Sequence, residues 1–437
     1  MIETWGCQMN AHDSEVLAGL LEQMGYLATE NENDADVVLL NTCCIREKAE
    51  NKVFGRLGNL KKLKANNPEL ILGVCGCMVQ RPEMADKIKK RMPHMDLIFG
   101  THNIHQLPDL ITEAKQNSTA RVKVWDREGK IVEDLPMRRA AGIKAFVNIM
   151  YGCNNFCTYC IVPHVRGRER SRHVADIITE IEHLVQQGYV EVMLLGQNVN
   201  SYGKDLDNNI DFAGLLKKVN DILGLQRIRF MTSHPRDFTD KLIDSLANCG
   251  KVCEHYHLPI QAGSTAILKR MNRGYTKGEY LDLVKQIRQK VPNASITTDI
   301  IVGFPGETDA DFEDTMDILQ RVQFDGAYTF IYSPRPGTPA ADMAEQVPPD
   351  QKKERFQRLL KLQNSITEEK HLQLLRSTQE VLFEGTSKND EHIMSGRTRS
   401  NKLVHVPADK SVIGKFYLVN ITKAQMFSVS GELLEEI

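Results

Sequence analysis

The first hundred residues alternate short apolar runs with longer amphipathic stretches. The apolar runs are predicted as strands, and each precedes a stretch whose apolar residues recur with the period of a helix. The strands are predicted at residues 2–5, 36–40, 70–74 and 97–99, and the helices at 14–24, 46–64, 82–92 and 107–114. This βα rhythm predicts a doubly wound parallel α/β domain, in which ligands lie beyond the carboxyl ends of the strands.

A second βα series begins near residue 144. Its six strands are predicted at 145–150, 190–195, 227–231, 256–260, 295–302 and 328–332, with the clearest amphipathic helices at 176–187 and 277–290. Six such units predict a partial (β/α)6 barrel with its chemistry at the carboxyl ends of the strands. The polar stretch between the two series is predicted as a connection with a hairpin through residues 126–130.

The pattern changes twice more toward the end of the chain. Proline-rich segments at 334–339 and 347–349 precede a charged helix predicted at 351–376. Short β-like runs at 380–383, 403–406 and 416–421, punctuated by glycines, predict a small closed β-barrel. The predicted boundaries are therefore an α/β domain at 1–118, a linker at 119–143, the central barrel at 144–333, a connection and helix at 334–375, and the small β-barrel at 376–437.

Composition narrows the possible partners and location. The 55 Lys and Arg residues nearly balance the 57 Asp and Glu residues, which excludes binding of nucleic acid by bulk positive charge and requires any such binding to be local. No apolar run approaches the roughly 20 residues that span a bilayer. No basic and apolar leader follows Met1, so we expect a cytoplasmic protein in a reducing compartment, without a membrane partner.

Cysteines follow the first three predicted strands. Cys7 follows the first strand, Cys43 and Cys44 follow the second, and Cys75 and Cys77 lie at the end of the third. Because the carboxyl ends of parallel strands meet at one edge of a sheet, three strand ends bring one thiol each to a common point. In a reducing compartment such clusters more often bind metal or carry out redox chemistry than form disulfides.

A second cysteine group follows the first strand of the central barrel. Cys153, Cys157 and Cys160 form a Cys-x-x-x-Cys-x-x-Cys loop. Three thiolates can hold a [4Fe–4S] cluster with one iron open to a non-protein ligand, whereas a cluster that only carries electrons normally takes four. The alternative is a structural zinc site completed by His164, although such sites usually draw two ligand pairs from separated turns.

The Cys-x-x-x-Cys-x-x-Cys loop on the first strand of a six-unit barrel resembles the radical S-adenosylmethionine (SAM) superfamily. The resemblance implies that the open iron binds SAM, whose reductive cleavage yields a 5′-deoxyadenosyl radical. It also implies that Tyr159 lies against the SAM adenine and that Gly196 and Gln197 approach the methionyl end. For Gly196, a plain strand-to-loop turn is the alternative.

Further motifs resemble the methylthiotransferase family within that superfamily, and the likeness covers essentially the whole chain. The matching segments are residues 4–10, 41–47, 76–80, 167–172, 195–202, 299–308 and 332–338. The Gly-Cys-Gln-Met-Asn, Asn-Thr-Cys-x-Ile-Arg-Glu and 324–330 segments are most similar to the branch that modifies isopentenylated adenosine in tRNA.

The family resemblance implies two clusters and a reaction. Cys7, Cys43 and Cys77 would hold an auxiliary [4Fe–4S] cluster beside the radical SAM cluster. One SAM would donate a methyl group and a second would yield the radical, so that C2 of N6-isopentenyladenosine at position 37 of tRNA is methylthiolated. The remaining cysteines are interpreted as small buried apolar residues: Cys44, Cys75, Cys249 and Cys253.

The small C-terminal barrel resembles the TRAM domain, an RNA-binding fold. Arg397, Arg399 and Lys402 place three cations in one predicted turn, which suits contact with phosphate, and a solvated loop is the alternative. The implied partners are a tRNA anticodon stem-loop, a reducing protein such as flavodoxin or ferredoxin, and a sulfur source.

Two alternative functions are compatible with the same motifs. A methylthiotransferase of a related branch would modify an aspartate of a ribosomal protein or a threonylcarbamoyladenosine in tRNA. An iron–sulfur RNA-binding protein of a different class would keep both clusters and never cleave SAM.

Overall fold

The structure is a computed structural model that describes residues 1–44, 47–116, 121–125, 127–139, 142–207 and 210–437. Ile45 and Arg46 of the second cysteine motif and Asp126 of the predicted hairpin lie outside these ranges. Across the described ranges, no helix is both long and apolar enough to cross a membrane.

The N-terminal domain is a five-stranded parallel sheet in the order β1-β2-β3-β4-β5. Its strands are β1 (Ile2–Thr4), β2 (Val37–Thr42), β3 (Ile71–Gly76), β4 (Leu97–Phe99) and β5 (Arg121–Lys123). Its helices are α1 (Gln8–Gln23), α2 (Glu47–Asn66), α3 (Pro82–Arg91) and α4 (Leu107–Gln116). The doubly wound α/β class is confirmed, and β5 lies in the segment that the sequence predicts as a linker. Within residues 127–139 the structure contains no strand, so the predicted hairpin does not form there.

The alternation of side chains along β2 and β3 explains the two helical layers. Val38 and Leu40 point to the side covered by α2 and α3, whereas Val37 and Leu39 point to the side covered by α1 and α4. Every residue of β2 and β3 is buried. Burial on both faces is typical of parallel sheets and accounts for their near-continuous apolar runs.

The central domain is an open barrel of six parallel strands. Its strands are β6 (Lys144–Asn148), β9 (Glu191–Leu195), β10 (Arg227–Phe230), β11 (His255–His257), β12 (Ser295–Val302) and β13 (Gly326–Ile331), with a short antiparallel pair β7 (Met150–Tyr151) and β8 (Arg170–Ser171) at the mouth. Its helices are α5 (Val162–Arg166), α6 (Val174–Gln186), α7 (Phe212–Asn220), α8 (Asp240–Asn248), α9 (Thr265–Arg270), α10 (Lys277–Lys290) and α11 (Asp309–Val322). A parallel bridge between Ile228 and Val252 joins the sheets β6-β9-β10 and β11-β12-β13. The predicted partial (β/α)6 barrel is confirmed.

Helix α12 (Pro349–Leu372) leads to a closed five-stranded barrel in the order β14-β15-β16-β18-β17. Its strands are β14 (Thr378–Thr386), β15 (Ile393–Thr398), β16 (Leu403–Pro407), β17 (Phe416–Ala424) and β18 (Val429–Glu436). The sequence predicts the barrel but not β15 and β18, which contain Gly396 and Gly431. A Cβ atom at these positions would lie 2.5 Å from Leu382 O and 2.4 Å from Asn420 O, so glycine permits the close strand approach.

The C-terminal barrel covers the amino-terminal ends of the central strands. Arg227, the first residue of β10, is buried and donates to Glu380 Oε1 at 2.7 Å and to Arg397 O at 2.9 Å. Arg229 donates to Thr398 O at 2.8 Å and to Arg399 O at 2.9 Å. The opposite, carboxyl-terminal end of the central barrel faces the N-terminal domain, because Val165 of α5 and the preceding Ile161 pack into that domain's core.

Candidate functional site

The first cysteine site lies where three neighbouring strands end. Cys7 caps the start of α1 just after β1, Cys43 directly follows β2, and Cys77 directly follows β3. The register pairs Thr4 with Asn41 and Thr42 with Gly76, so the three strand ends are level. The sequence-based expectation that the topology brings these thiols to one edge agrees with this arrangement.

Asn10 holds the three strand ends together. Its Oδ1 lies 4.0 Å from Cys7 Sγ and 3.7 Å from Cys77 Sγ, while its Nδ2 donates to Trp5 O at 2.9 Å and to Thr42 O at 3.1 Å. A Cβ atom on Gly6 would come within 2.8 Å of Cys43 Cβ, which puts the second cysteine against the same turn. The close approach of the backbone at Gly6 to Cys43 and the contacts of Asn10 with Cys7 and Cys77 therefore hold the site together.

Gly76 fixes the direction in which the chain leaves β3. Its φ of +94° is a conformation that side-chain-bearing residues rarely adopt. A Cβ atom there would lie 2.4 Å from Thr42 O and 2.5 Å from Asn41 Oδ1. Glycine at this position therefore sets where the following Cys77 points.

Two further cysteines adjoin the site in different ways. Cys44 is buried and hydrogen-bonds to Cys77, which lowers the pKa of Cys77 to about 6, with the nearby Arg166 acting in the same direction. The same contact raises the pKa of Cys44. Cys75 points into the apolar core beneath α1 and α4, where burial raises its pKa. Both are buried as predicted, along with Cys249 and Cys253, but Cys44 also contacts a site cysteine.

Arg166, at the end of α5, connects the two domains at this site. Its Nη2 donates to Asn10 Oδ1 at 2.8 Å and to Asp13 Oδ2 at 2.7 Å, and its side chain is 5% exposed. The neighbouring Asp13, Cys77 and Cys7 all raise the pKa of the guanidinium. Sequence reasoning missed Arg166, because only the position of α5 between the domains reveals that it reaches the first cysteine site.

The second cysteine site is the loop between β7 and α5, and α5 begins two residues after Cys160. Phe156 has a φ of +46°, and Cys160 N donates to Cys157 O at 2.9 Å, so the loop folds tightly around the three cysteines. Desolvation by the surrounding protein raises the pKa of Cys153 to about 11 and that of Cys160 to about 12. The free thiols of Cys153 and Cys160 therefore stay protonated at neutral pH, and metal binding by these two has to release their protons.

Arg273 reaches the second site from the loop after α9. Its Nη1 lies 3.3 Å from Cys157 Sγ, and its Nη2 donates to Pro259 O at 2.9 Å. Its side chain also donates to the hydroxyl of Tyr275 at 3.0 Å. More than a hundred residues separate Arg273 from Cys157, and no pattern in the sequence relates the two.

Each site offers three thiols from separate backbone positions, which fits a cubane cluster because each thiolate binds a different iron. Among the described side chains, no three His, Cys, Asp or Glu residues converge to hold a single metal ion. Zinc coordination completed by His164 therefore stays an untested alternative. The ring of His164 instead lies 6.3 Å from that of Phe156 in an edge-to-face contact.

The residues predicted to bind SAM lie around the mouth of the central barrel. Tyr159 packs against the barrel core, and Gly196 and Gln197 directly follow β9. A Cβ atom on Gly196 would come within 2.6 Å of Met150 Cγ, so this glycine is required by packing. Gln197 Nε2 contacts Met9 Sδ at 2.5 Å, which brings the end of β9 beside the first turn of α1. Binding of SAM by these residues stays a prediction.

Two of the three predicted cations of the C-terminal barrel, Arg399 and Lys402, pair with the central barrel. Arg399 pairs with Glu254 at 2.7 Å and donates to Val252 O at 2.8 Å, while Lys402 is 8% exposed and pairs with Asp325 at 2.8 Å. Arg397 lies 3.8 Å from Glu384 of its own barrel. The alternative of a freely solvated loop does not hold. Contact with phosphate stays a prediction, and it now requires the cations to exchange these partners.

Comparison with family models divides the chain in the same way. Residues 1–100 match the Uncharacterized protein family UPF0004, residues 147–319 match the Radical SAM superfamily, and residues 373–434 match the TRAM domain.

Solved structures support the fold. A radical S-adenosylmethionine methyltransferase, TsrM, from Kitasatospora setae superposes with a TM-score of 0.55 at 16% identity, covering 76% of this chain and 72% of that one. The cobalamin-dependent S-adenosylmethionine radical enzyme OxsB gives 0.54 at 14% identity, covering 84% of this chain and 54% of that one. At these identities the likeness concerns the fold alone.

Curated relatives are far more similar. Proteins named tRNA-2-methylthio-N(6)-dimethylallyladenosine synthase from Acetivibrio thermocellus and Moorella thermoacetica are each 56% identical over 99% of this chain, covering 90% and 98% of their own lengths. A protein of the same name from Alkaliphilus oremlandii is 55% identical over 100% of this chain and 93% of its own. The chain belongs to the tRNA-2-methylthio-N(6)-dimethylallyladenosine synthase family.

Proposed function

We propose that this protein methylthiolates C2 of N6-isopentenyladenosine at position 37 of tRNA, next to the anticodon. The observation that carries the proposal is the presence of two separate three-cysteine sites on adjoining domains of a chain with full-length relatives of that name. A single site would suffice for radical chemistry alone. A second site beside the barrel mouth suits a reaction that also inserts sulfur.

We assign two [4Fe–4S] clusters to these sites. Cys7, Cys43 and Cys77 would hold the auxiliary cluster, and the loop cysteines would hold the radical SAM cluster: Cys153, Cys157 and Cys160. When bound, the clusters and SAM supply the sulfur, the methyl group and the 5′-deoxyadenosyl radical for the reaction. An unactivated aromatic C–H bond lies beyond acid–base side chains, so we assign no general base.

The side chains around the sites position these groups. Arg273 contacts Cys157 Sγ and fixes that part of the loop against Pro259. Tyr159, Gly196 and Gln197 would line the SAM site, and the contact between Gln197 and Met9 keeps the N-terminal domain at the barrel mouth. The protein therefore contributes orientation and exclusion of water, and the bound groups contribute reactivity.

The C-terminal TRAM domain supports a tRNA substrate. The anticodon stem-loop would bind by phosphate contacts and base stacking, as is typical of single-stranded RNA recognition. Arg397, Arg399 and Lys402 are candidates for the phosphate contacts. A reducing protein such as flavodoxin or ferredoxin, a separate sulfur source and a cytoplasmic location complete the proposal.

The test is a nucleoside analysis of tRNA incubated with SAM, a reductant and anaerobically reconstituted protein. We expect 2-methylthio-N6-isopentenyladenosine from isopentenylated tRNA, and none from tRNA that carries unmodified or threonylcarbamoylated adenosine. A Cys157→Ala variant is the matched control and should form neither product nor 5′-deoxyadenosine. Methylthiolation of a ribosomal-protein aspartate, or tRNA binding without SAM cleavage, would replace this proposal by the corresponding alternative.

A further inference from the structure

Arg273 is a buried arginine without a carboxylate partner. It is 5% exposed, and its guanidinium donates to the Tyr275 hydroxyl at 3.0 Å, to Pro259 O at 2.9 Å and to Cys157 Sγ at 3.3 Å. In the part of the chain that the structure describes, no Asp or Glu oxygen lies within 4.0 Å of its nitrogens. A buried charge is costly unless an opposite charge accompanies it, so the surroundings of Arg273 favour a bound anion.

The other buried arginines set the comparison. Each of them forms an ion pair with a carboxylate: Arg81, Arg166, Arg172, Arg227, Arg229 and Arg355. Near the first cysteine site, for example, Asp13 lies 2.7 Å from Arg166 and offsets its charge. Among the buried arginines that the structure describes, Arg273 alone lacks such a partner, and it lies at the second cysteine site.

Two hydrogen bonds direct the guanidinium of Arg273 toward the cysteine loop. Pro259 O, just after β11, accepts from Nη2. The Tyr275 hydroxyl accepts from Nε and donates in turn to Ile260 O at 2.9 Å. With these two nitrogens held, Nη1 faces Cys157 Sγ. Arg273 therefore cannot turn to a different anion without breaking these bonds.

The loop thiols supply the negative charge that Arg273 lacks when they hold a [4Fe–4S] cluster. Three thiolates outweigh the charge of the oxidised cluster, and reduction adds one more negative charge. Both the net charge and the hydrogen bonds to the sulfur atoms set the reduction potential of such a cluster. A fixed cation in a buried site stabilises the reduced, more negative state more than the oxidised one.

We propose that Arg273 is the counter-charge of the loop cluster and raises its reduction potential. The inference rests on the proposed function, which assigns that cluster to Cys153, Cys157 and Cys160. In this step one electron passes from the reducing protein to the cluster, and no bond forms or breaks. Arg273 is a positioning residue, because it acts through Cys157 and does not touch the reacting atoms.

A redox titration of the anaerobically reconstituted holoenzyme tests the proposal. The electron paramagnetic resonance of the reduced clusters is recorded without SAM or tRNA, and a variant with Cys7, Cys43 and Cys77 replaced by alanine identifies the signal of the loop cluster. At a fixed solution potential, we expect the ratio of reduced to oxidised loop cluster to be about tenfold lower in Arg273→Met, which for one electron is a midpoint potential about 59 mV lower. An unchanged ratio would overturn the proposal.

Two further variants separate the charge of Arg273 from its packing. Arg273→Lys keeps the charge, so its ratio should stay within about threefold of the wild-type value. Arg236→Met is the matched control, because Arg236 also contacts the loop, through Asn155 Oδ1, but its side chain is 48% exposed and lies 3.9 Å from Asp237. Solvent screens that charge, so the ratio in Arg236→Met should stay within about twofold of the wild-type value. A control shift as large as that of Arg273→Met would contradict the assigned role.

Other roles of Arg273 give different results. If Arg273 binds the carboxylate of SAM instead, the titration without SAM will match the wild type while the dissociation constant for SAM rises. If Arg273 only holds the loop in place, Arg273→Met will bind about four irons fewer than the wild type. Arg273→Gln, which keeps an amide donor without the charge, is then titrated in its place. A wild-type ratio in Arg273→Gln, or loss of loop iron from both variants, would overturn the proposal as well.

The titration and the product separate this inference from the proposed function, because the titration needs neither SAM nor tRNA. If the wild-type protein forms no methylthiolated nucleoside while Arg273→Met lowers the potential, the proposed function fails and the role of Arg273 stands. If product forms while the potential is the same in both proteins, the inference about Arg273 alone fails.

Discussion

Replacing Arg166 by methionine removes a side chain that binds both Asn10 of the first cysteine site and the neighbouring Asp13. Methionine keeps much of the length and apolar stem of arginine but donates no hydrogen bond. Asp13 then loses a partner at 2.7 Å, and Asn10 loses one at 2.8 Å. The side chain of Asp13 is 7% exposed, so water cannot easily replace the guanidinium.

Breaking a buried ion pair by removing one partner typically costs about 3–5 kcal/mol, because the remaining charge stays buried. At roughly 4 °C for each kcal/mol in a domain of about 120 residues, the unfolding temperature of the N-terminal domain should fall by about 12–20 °C. Adding Asp13→Asn to the variant removes the unpaired charge. The double variant should therefore be more stable than Arg166→Met alone.

Calorimetry of the apo proteins measures these shifts, because bound clusters would add their own stabilisation. The chain has several domains, so the transition of the N-terminal domain must be followed separately. Iron content after reconstitution supplies a second measurement, and we expect Arg166→Met to lose iron from the auxiliary site. A shift below about 3 °C in the single variant, with the double variant no different, would refute the assigned role of this pair.

Further predictions concern the two sites and the interface between barrels. The wild-type protein should bind about eight irons and the variant with all three loop cysteines replaced by alanine about four, since each cubane carries four; loss of all iron would exclude the auxiliary site. Gly76→Ala should lose auxiliary iron, because its Cβ atom would clash with Thr42 O at 2.4 Å. As the pH falls from 6.5 to 4, protonation of His12 in the unfolded chain should remove about 3 kcal/mol of stability, because burial lowers the pKa of His12 to about 4; thermal unfolding of His12→Phe should show a correspondingly smaller loss. Arg399→Ala should lower stability by about 1–3 kcal/mol through loss of its bonds to Glu254 and Val252 O; unchanged stability with weaker, less salt-dependent tRNA binding would instead support phosphate contact.

Sequence periodicity was sufficient for the parts of the fold that repeat. The βα rhythm predicted both α/β domains, and the strand ends then brought Cys7, Cys43 and Cys77 to one edge before any spacing motif related them. Strand β5 escaped prediction because its sequence, Arg-Val-Lys, has one apolar residue between two cations and so no apolar run. Strands β15 and β18 escaped because glycine, which usually interrupts a strand, here permits two strands to approach closely.

The contacts between domains could not be predicted from the sequence. Arg399 and Lys402 fit a phosphate-binding turn by composition, yet their partners Glu254 and Asp325 belong to the central barrel. The local sequence does not distinguish a cation that is available to bind RNA from one that pairs with a carboxylate far away in the sequence. Arg273 and Arg166 show the opposite case. Each lies at a cysteine site in the structure, although no sequence motif relates it to that site.

Because α5 is short, it holds the two cysteine sites at a short, fixed separation. The helix has five residues, beginning two positions after Cys160 and ending at Arg166. At about 1.5 Å per residue, the helix carries the chain less than about 10 Å from one site to the other. Ile161, which precedes the helix, and Val165 within it are buried in the core of the N-terminal domain, so the second site cannot move away without exposing that core. The proposed reaction joins sulfur from one site to a carbon activated at the other, and the packing of Ile161 and Val165 supplies the fixed spacing that such a reaction would need.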